Sequence, residues 1–327
     1  MKAIGIILAG GNNNRMKELT AKRAVPALPV AGSFRSIDFA LSSMSNSHIQ
    51  TVAVLTQYNA RSLNEHLSSS KWWNFGRKQG GLFLFTPTVT ADNSDWYRGT
   101  ADAMYQNIDF LKRRHEPYVI ISSGDCVYKL DFNRVLDFHI EKKSDITVVC
   151  KDMMYNDDVS RFGVVRMDDE SRITEFDEKP IEALSNTIST GIYVIRRRQL
   201  IELLEAAAEE NRFDFVNDIL VRYKNVKKIY GYKINSYWNN IADIDAYFKT
   251  NMDFLRPDVR SYFFREEPTI CSKVDDLPPA KFNPGSDISN SLVSSGCTIN
   301  GSVEDSVLFK QVFVGKNTTV KNCVILN

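Results

Sequence analysis

The stretch best suited to chemistry lies near the start of the chain, "AGGNNNRMKELTAKRAVPALPV" over residues 9 to 30. A loop that holds phosphates must bring backbone amides close to the anion, and Gly10 and Gly11 permit that approach because neither carries a Cβ. Such loops usually add a further glycine and a lysine, where this chain has three asparagines and a valine. The stretch matches neither the GxxxxGK[ST] phosphate loop nor the GxGxxG dinucleotide fingerprint, so on its own the glycine pair equally suits a tight turn after a first strand. Lys22, Arg23 and Arg35 stand near the start of an expected helix, an arrangement that can hold an anion, although scattered surface arginines are common.

Composition limits the alternatives. The 327 residues, 43% of them hydrophobic, suffice for a full α/β domain, a smaller unit and a sizeable core. Lys and Arg number 41 against 40 Asp and Glu, so no bulk field favours a polyanion and no nucleic-acid partner is expected. The five cysteines, Cys126, Cys150, Cys271, Cys297 and Cys323, are odd in number, widely spaced and without a CxxC pair. That argues against a disulfide framework and a zinc knuckle and for reduced thiols in the cytoplasm. The apolar run of "MKAIGIILAGG" leads straight into a glycine turn, which favours a buried strand over a signal peptide, and no other segment is expected to span a membrane.

The elements that must position these residues alternate along the chain. Continuous apolar runs at 2 to 9, 51 to 57, 117 to 125 and 145 to 152 read as strands covered on both faces. Helical periodicity separates them at 36 to 47, 59 to 69, 99 to 115 and 132 to 143, which predicts a mostly parallel sheet with ligands outside its carboxyl ends. From Phe162 the pattern turns to short strands, "FGVVRMD", "ITEFDEKP" and "TISTGIYVIR", and then to helices at 197 to 209, 214 to 223 and 243 to 255. Residues 1 to 255 therefore read as one domain. Residues 256 to 287 carry several prolines and no sustained period, as a surface linker would. From 288 to 327 aliphatics recur six apart, at Val293 and Ile299 and, after a slip, at Leu308, Val314, Val320 and Leu326. Such hexads predict roughly two coils of a three-sided β-solenoid, and the apolar last position implies an open end covered by further residues or by another subunit.

Agreement across distance adds a resemblance. "AGG…R", "LTAKRAVPALPVAGSFRSIDFALS", "VLTQY", "WYRGTADAMYQN", "SGDCVYKLDF", "FGVV", "EFDEKP", "STGIYVI" and "YWNNIADIDAYFKTNMDF" follow in order. The series resembles the sugar nucleotidyltransferases, most closely the glucose-1-phosphate adenylyltransferases (ADP-glucose pyrophosphorylases) of glycogen synthesis, over residues 3 to 255, and the hexads extend it. The resemblance implies a Rossmann-like α/β domain with a mostly parallel mixed sheet, followed by a left-handed β-helix. It also implies that a sugar phosphate attacks the α-phosphate of ATP, with Mg²⁺ between the substrates and pyrophosphate leaving.

By that resemblance Arg15 is the arginine of the triphosphate site, and Asn13 replaces the third loop glycine. The family pattern "RAKPAVPF" reads here "RAVPALPV", so Val25 stands where a lysine is expected. Asp125 matches the first metal carboxylate. In "YWNNIAD", Asn240 replaces the second carboxylate of "YWRDVGT" and Asn239 its arginine. Asp243 reads as a helix cap instead. Gln57, Gly99, Thr100, Ala101 and Asp102 match the base-binding segments, while Glu178, Lys179 and Ser189 match the glucose-1-phosphate pocket, with Val216 crowding its sugar side. Lys22, Arg23 and Arg35 match effector positions, although Ser33 replaces a neighbouring lysine. A neutralised catalytic centre beside kept ligand pockets resembles the regulatory (D-type) subunit of some bacteria. That implies a heterotetramer with catalytic subunits, sugar phosphates and ATP as candidate ligands, and Mg²⁺ wherever catalysis or nucleotide binding persists. A slow adenylyltransferase and a sugar-nucleotide binding module without a catalytic role remain the alternatives.

Overall fold

A computed structural model of the chain describes residues 2–11, 14–76, 80–89, 96–154 and 157–327. The first apolar run forms β1 (Ala3–Ala9), and its period-two geometry splits its side chains between two cores. Ala3, Ile7 and Ala9 join the core on one face, Ile4 and Ile6 that on the other. A hairpin of β2 (Pro29–Val30) and β3 (Phe34–Arg35) leads into α1 (Ser36–Asn46), and β4 (Thr51–Thr56) follows. Next come α2 (Arg61–Leu67) and β5 (Gly81–Phe85). The single helix expected over 99 to 115 is two short ones, α3 (Thr100–Tyr105) and α4 (Ile108–Lys112). Asn107 interrupts them, its side-chain amide donating to the Tyr97 hydroxyl and the Ala103 carbonyl.

The chain continues through β6 (Tyr118–Ser123), β7 (Cys126–Tyr128), α5 (Phe132–Glu141) and β8 (Ile146–Asp152). Three strands follow, β9 (Gly163–Met167), β10 (Ile173–Glu178) and β11 (Thr187–Arg196), then α6 (Arg197–Glu209). The sequence expected a helix from 214 to 223, and a π-helical turn occupies Val216–Val221. β12 (Ile229–Lys233), β13 (Trp238–Asn240) and α7 (Ile244–Asp253) complete the domain.

Among the described residues, nine of these strands form one mixed sheet. β1 lies between β4 and β6 in parallel, β5 extends β4, and β11 pairs antiparallel with β6 and β8. α1, α2 and α5 pack their apolar stripes on one face, and α3, α6 and the π-helical turn on the other. β7 and β13 form a separate antiparallel pair beyond the carboxyl end of β6.

Two expectations need correction. Residues 256 to 287 do not run wholly over the surface, because α8 (Pro257–Phe264) buries Val259 and Phe263 against Phe39 and Phe254. The proline that suggested a linker sits at the first turn of this helix, where its missing amide costs nothing. Beyond it, the Cys271 carbonyl accepts from Ser42 Oγ and Trp73 Nε1, which straps the chain to the first domain. The β-helix, in turn, begins at Lys281 rather than 288. Its three parallel sheets stack Phe282 with Ile299 and Val314, Ile288 with Val303 and Val320, and Val293 with Leu308 and Ile325. The strict hexad rule therefore missed Val303 and chose Leu326 where Ile325 faces inward. Leu326 packs outward instead, against Val307 and Phe309 and the cluster around α7 and α8.

Candidate active site

Two cavities open at the carboxyl ends of β1 and β6 and share Ser123 and Asp125. The first encloses about 490 Å³ and is lined by Gly10, Gly11, Val25, Gln57, Gly99 and Thr100, among others. The second encloses about 420 Å³ and is lined by Arg15, Arg161, Glu178, Lys179, Ser189 and Asn240, among others. The parallel strands end here because their connections turn back over the sheet edge, which is where open α/β sheets bind ligands.

In the first cavity the Gln57 side chain pairs with the backbone of Tyr97, its Oε1 accepting from the amide at 2.7 Å and its Nε2 donating to the carbonyl at 3.3 Å. This holds the "WYRGT" segment against β4. Gly99 is required by close approach, since a Cβ there would lie 2.3 Å from the Phe213 carbonyl oxygen. That same oxygen accepts from the amides of Ala101 and Asp102. Ala101 and Asp102, matched in sequence to base binding, therefore lie behind the wall, their amides already used. The Asp102 carboxylate accepts from the Arg98 amide at 2.8 Å and from Gln106 Nε2 at 2.9 Å, so it braces the start of α3. Gly10, Gly11, Gln57, Gly99 and Thr100 do reach the cavity. Asn13 lies outside the described residues.

Val25 is 5% exposed and belongs to a packed cluster with Met16, Leu28, Phe39 and Ile241. The hydrophobic neighbourhood accounts for a valine here and leaves no cation at this corner of the cavity.

Asp125 lies two residues past the end of β6 and beside β13, the Ile241 amide donating to its carbonyl at 2.9 Å. Asn240 pairs with Cys126 in the register of β7 and β13, which sets it beside Asp125 as the resemblance implied. Its Oδ1 accepts from the Ala242 amide at 3.0 Å, and its Nδ2 faces Cys126 Sγ at 3.5 Å. The Cys126 thiol is buried, and burial followed by the neighbouring Asp125 pushes its pKa well up, so it stays protonated and inert. Asp243 caps α7 through the Ala246 amide at 2.7 Å and pairs with Arg161 through its other oxygen. Asn239 donates to Tyr237 and Asp253, away from Asp125.

The second cavity owes its shape to two irregularities. The pairing of β11 with β8 shifts register between Ser189 and Tyr193, and Gly191 within that stretch has φ +74°. Ser189 Oγ, at this bulge, donates to the Tyr193 hydroxyl at 3.3 Å. At the end of β10, Lys179 adopts φ 51° and its amide donates to the Phe162 carbonyl at 3.0 Å. A left-handed conformation at a lysine is unusual, and here it turns the chain so that Lys179 lines the cavity. Its Nζ lies 3.3 Å from Glu178 Oε1. Burial raises the Glu178 pKa, and the charge of Lys179 partly offsets the rise. Arg161 and Phe162 form a further wall, the guanidinium over the ring at 4.8 Å, with the Phe162 ring edge-on to Trp238. Val216 also lines this cavity. Sequence reasoning missed Arg161, which immediately precedes the quoted "FGVV" and had only that adjacency to mark it.

A third group of cations gathers away from Asp125. Arg23 and Arg35 line a cavity of about 150 Å³ together with Lys273 and Lys310, where the first domain meets the β-helix. Arg35 donates to the carbonyl and Oγ of Ser62, and burial lowers its pKa. Lys22 does not line this cavity, and Lys273 and Lys310 were invisible to the motif because they come from distant segments.

Comparison with known proteins agrees with this geometry. A family model described as nucleotidyl transferase matches residues 4–256, and one described as GlmU-like, C-terminal hexapeptide matches residues 278–327. The chain is 38% identical over 320 residues to a glucose-1-phosphate adenylyltransferase of Clostridium novyi, covering 97% of this chain and 84% of that protein. To the protein of the same name in Pseudothermotoga lettingae it is 39% identical over 322 residues, covering 98% and 76%. With both the sheet domain and the hexapeptide β-helix matched in order, the chain belongs to the glucose-1-phosphate adenylyltransferase family of nucleotidyl transferases.

Proposed function

We propose that this chain is a regulatory, catalytically impaired subunit of a glucose-1-phosphate adenylyltransferase, supporting ADP-glucose synthesis by a catalytic partner. One observation carries the reading. On either side of the shared Asp125, the positions expected to hold a cation and a second carboxylate are a core-packed valine, Val25, in the first cavity and, in the second, Asn240, whose side-chain oxygen accepts from the Ala242 amide. Val25 offers no charge to a departing pyrophosphate, and losing such a contact typically costs about a hundredfold or more in rate. The walls meanwhile keep groups suited to binding. Lys179 and Arg15 face a phosphate ester, Glu178 and Ser189 face sugar hydroxyls, and Gln57 and Gly99 shape the pocket for a base.

The assembly we propose is a heterotetramer in the cytoplasm, and the Arg23, Arg35, Lys273 and Lys310 cavity between the domains is the site through which an anionic effector acts. Asp125 and Arg15 are retained at the junction, which favours, as the second reading, a slow enzyme over a module without catalytic ancestry. Assay of the purified chain alone and mixed with its catalytic partner separates the two. The regulatory reading expects negligible ADP-glucose from the chain alone and changed kinetics in the mixture. Turnover by the chain alone comparable to that of an active relative would favour the slow enzyme.

A further inference from the structure

The donor set at Asp125 does not fit the divalent cation that the family resemblance implies. Mg²⁺ beside substrate phosphates relies on one or two carboxylates with free oxygens and tolerates little departure from octahedral geometry. Asp125 accepts through Oδ1 from Ser123 Oγ at 2.5 Å and from Cys126 Sγ at 3.4 Å, so it brings a single carboxylate with one engaged oxygen. The only oxygen of the Asn240 side chain accepts from the Ala242 amide, and its NH₂ group, a donor, is the end turned toward Cys126 beside Asp125. Of the other carboxylates around this site, Glu178, which lines the same cavity, is paired with Lys179, and Asp243 has one oxygen on the cap of α7 and the other on Arg161. Among the described residues no cluster of three or more His, Cys, Asp or Glu side chains could hold a metal. The same cavity carries two guanidinium groups, Arg15 and Arg161, together with Lys179. Arg161 interacts electrostatically with Asp158 most strongly and then with Arg15 and Asp125, so a cation placed at Asp125 would share the site with the Arg161 charge.

We propose that this cavity binds its sugar phosphate without a divalent cation, Arg161, held by Asp243, supplying with Arg15 and Lys179 the positive charge that a metal would otherwise provide. A guanidinium suits this role because it stays charged under partial burial and presents paired donors to phosphate oxygens. Arg161 keeps one face on Phe162 and one contact to Asp243, which fixes it at the wall between this cavity and its neighbour. The inference rests on the proposed reading of the second cavity as a sugar-phosphate pocket.

Calorimetric titration of glucose 1-phosphate into the full chain, in EDTA and in excess Mg²⁺, tests it. The expected affinities agree within about twofold in the two buffers, and Arg161→Ala weakens both about tenfold. Arg161→Lys, which keeps the charge and the pairing with Asp243, recovers part of that loss and shows that the fold is not at fault. Asn240→Asp makes binding respond to Mg²⁺, and Mn²⁺ titration followed by electron paramagnetic resonance detects the ion in that variant and not in the wild type. Loss of affinity in EDTA by the wild-type chain, or unchanged affinity in Arg161→Ala, overturns this inference and leaves the sugar-phosphate pocket standing. An absence of binding in both buffers overturns both.

Discussion

Of the described side chains lining the cavity beside β4, only Arg98 and Asp125 carry formal charge, whereas the cavity beside β10 and β11 is walled by Arg15, Asp125, Arg161, Glu178 and Lys179. Even Arg98 is turned to structural work, its guanidinium over the Phe213 ring at 3.8 Å and paired with Asp102. The two cavities share a floor but differ in what they can hold. The first is walled by glycines and backbone edges, which on the function proposed take a flat, weakly polar group, and it has a valine, Val25, where a lysine would meet a triphosphate. The second, on the function proposed, takes a charged ester. The difference teaches that pocket shape and reaction chemistry are separable in this fold. The scaffold that forms both cavities lies in the buried strands, while the chemistry depended on a few side chains at their rim.

The sharpest way to break this comparison is to restore the rim. Val25→Lys with Asn240→Asp should raise ADP-glucose formation by the chain alone by about a hundredfold or more, and by more than either change singly, because leaving-group and metal contacts act as a unit. Steady-state assay with Mg²⁺ checks it, and an inactive but folded double variant would show that the defect lies elsewhere in the walls. A smaller effect is expected in the charged cavity, where Lys179→Ala should weaken glucose 1-phosphate binding about tenfold, as removal of a charged hydrogen-bond donor does. Calorimetry measures it.

The uncharged cavity is sensitive to shape rather than charge. Gly99→Ala forces a Cβ against the Phe213 carbonyl, with an expected loss of about 1–3 kcal/mol in stability and reduced nucleotide binding. Denaturant unfolding and a nucleotide titration together report it. The smallest effect concerns Glu178. Its folded pKa is raised by burial, so its ionised form opposes folding, and that cost is present above the folded pKa and vanishes as pH falls below the unfolded one. Glu178→Gln should therefore raise the melting temperature slightly near neutral pH, with a difference that shrinks on acidification. Thermal unfolding across pH 4 to 7 follows it.

Much of the scaffold was legible because burial on both faces leaves a local mark. The runs that became β1, β4, β6 and β8 are continuous and apolar, and β11 and α6 match their expected bounds of 187 to 196 and 197 to 209. The β-helix was legible in kind but not in register. Its coils vary in length, so a fixed spacing slips from Ile325 to Leu326 at the last turn. α8 escaped because its period is carried by few residues and its burial depends on Phe39 and Phe254, which are remote in sequence. At the site, Val25 and Asn240 stood out as departures from a motif, and only the geometry shows what occupies them, a hydrophobic cluster in one case and the Ala242 amide in the other. Arg161 and the Lys273 and Lys310 pair were not legible, since their partners come from distant segments that no local pattern joins.

The central claim is that this chain modulates a catalytic partner rather than making ADP-glucose itself. Co-expression with a catalytic adenylyltransferase subunit, followed by light scattering on the purified complex and assay of each component, tests it most directly. The expected result is a mixed oligomer whose activity or effector response differs from that of the catalytic subunit alone, with negligible turnover by this chain in isolation. A chain that neither co-purifies with the partner nor alters its kinetics, or that turns over at the rate of an active relative, would contradict it.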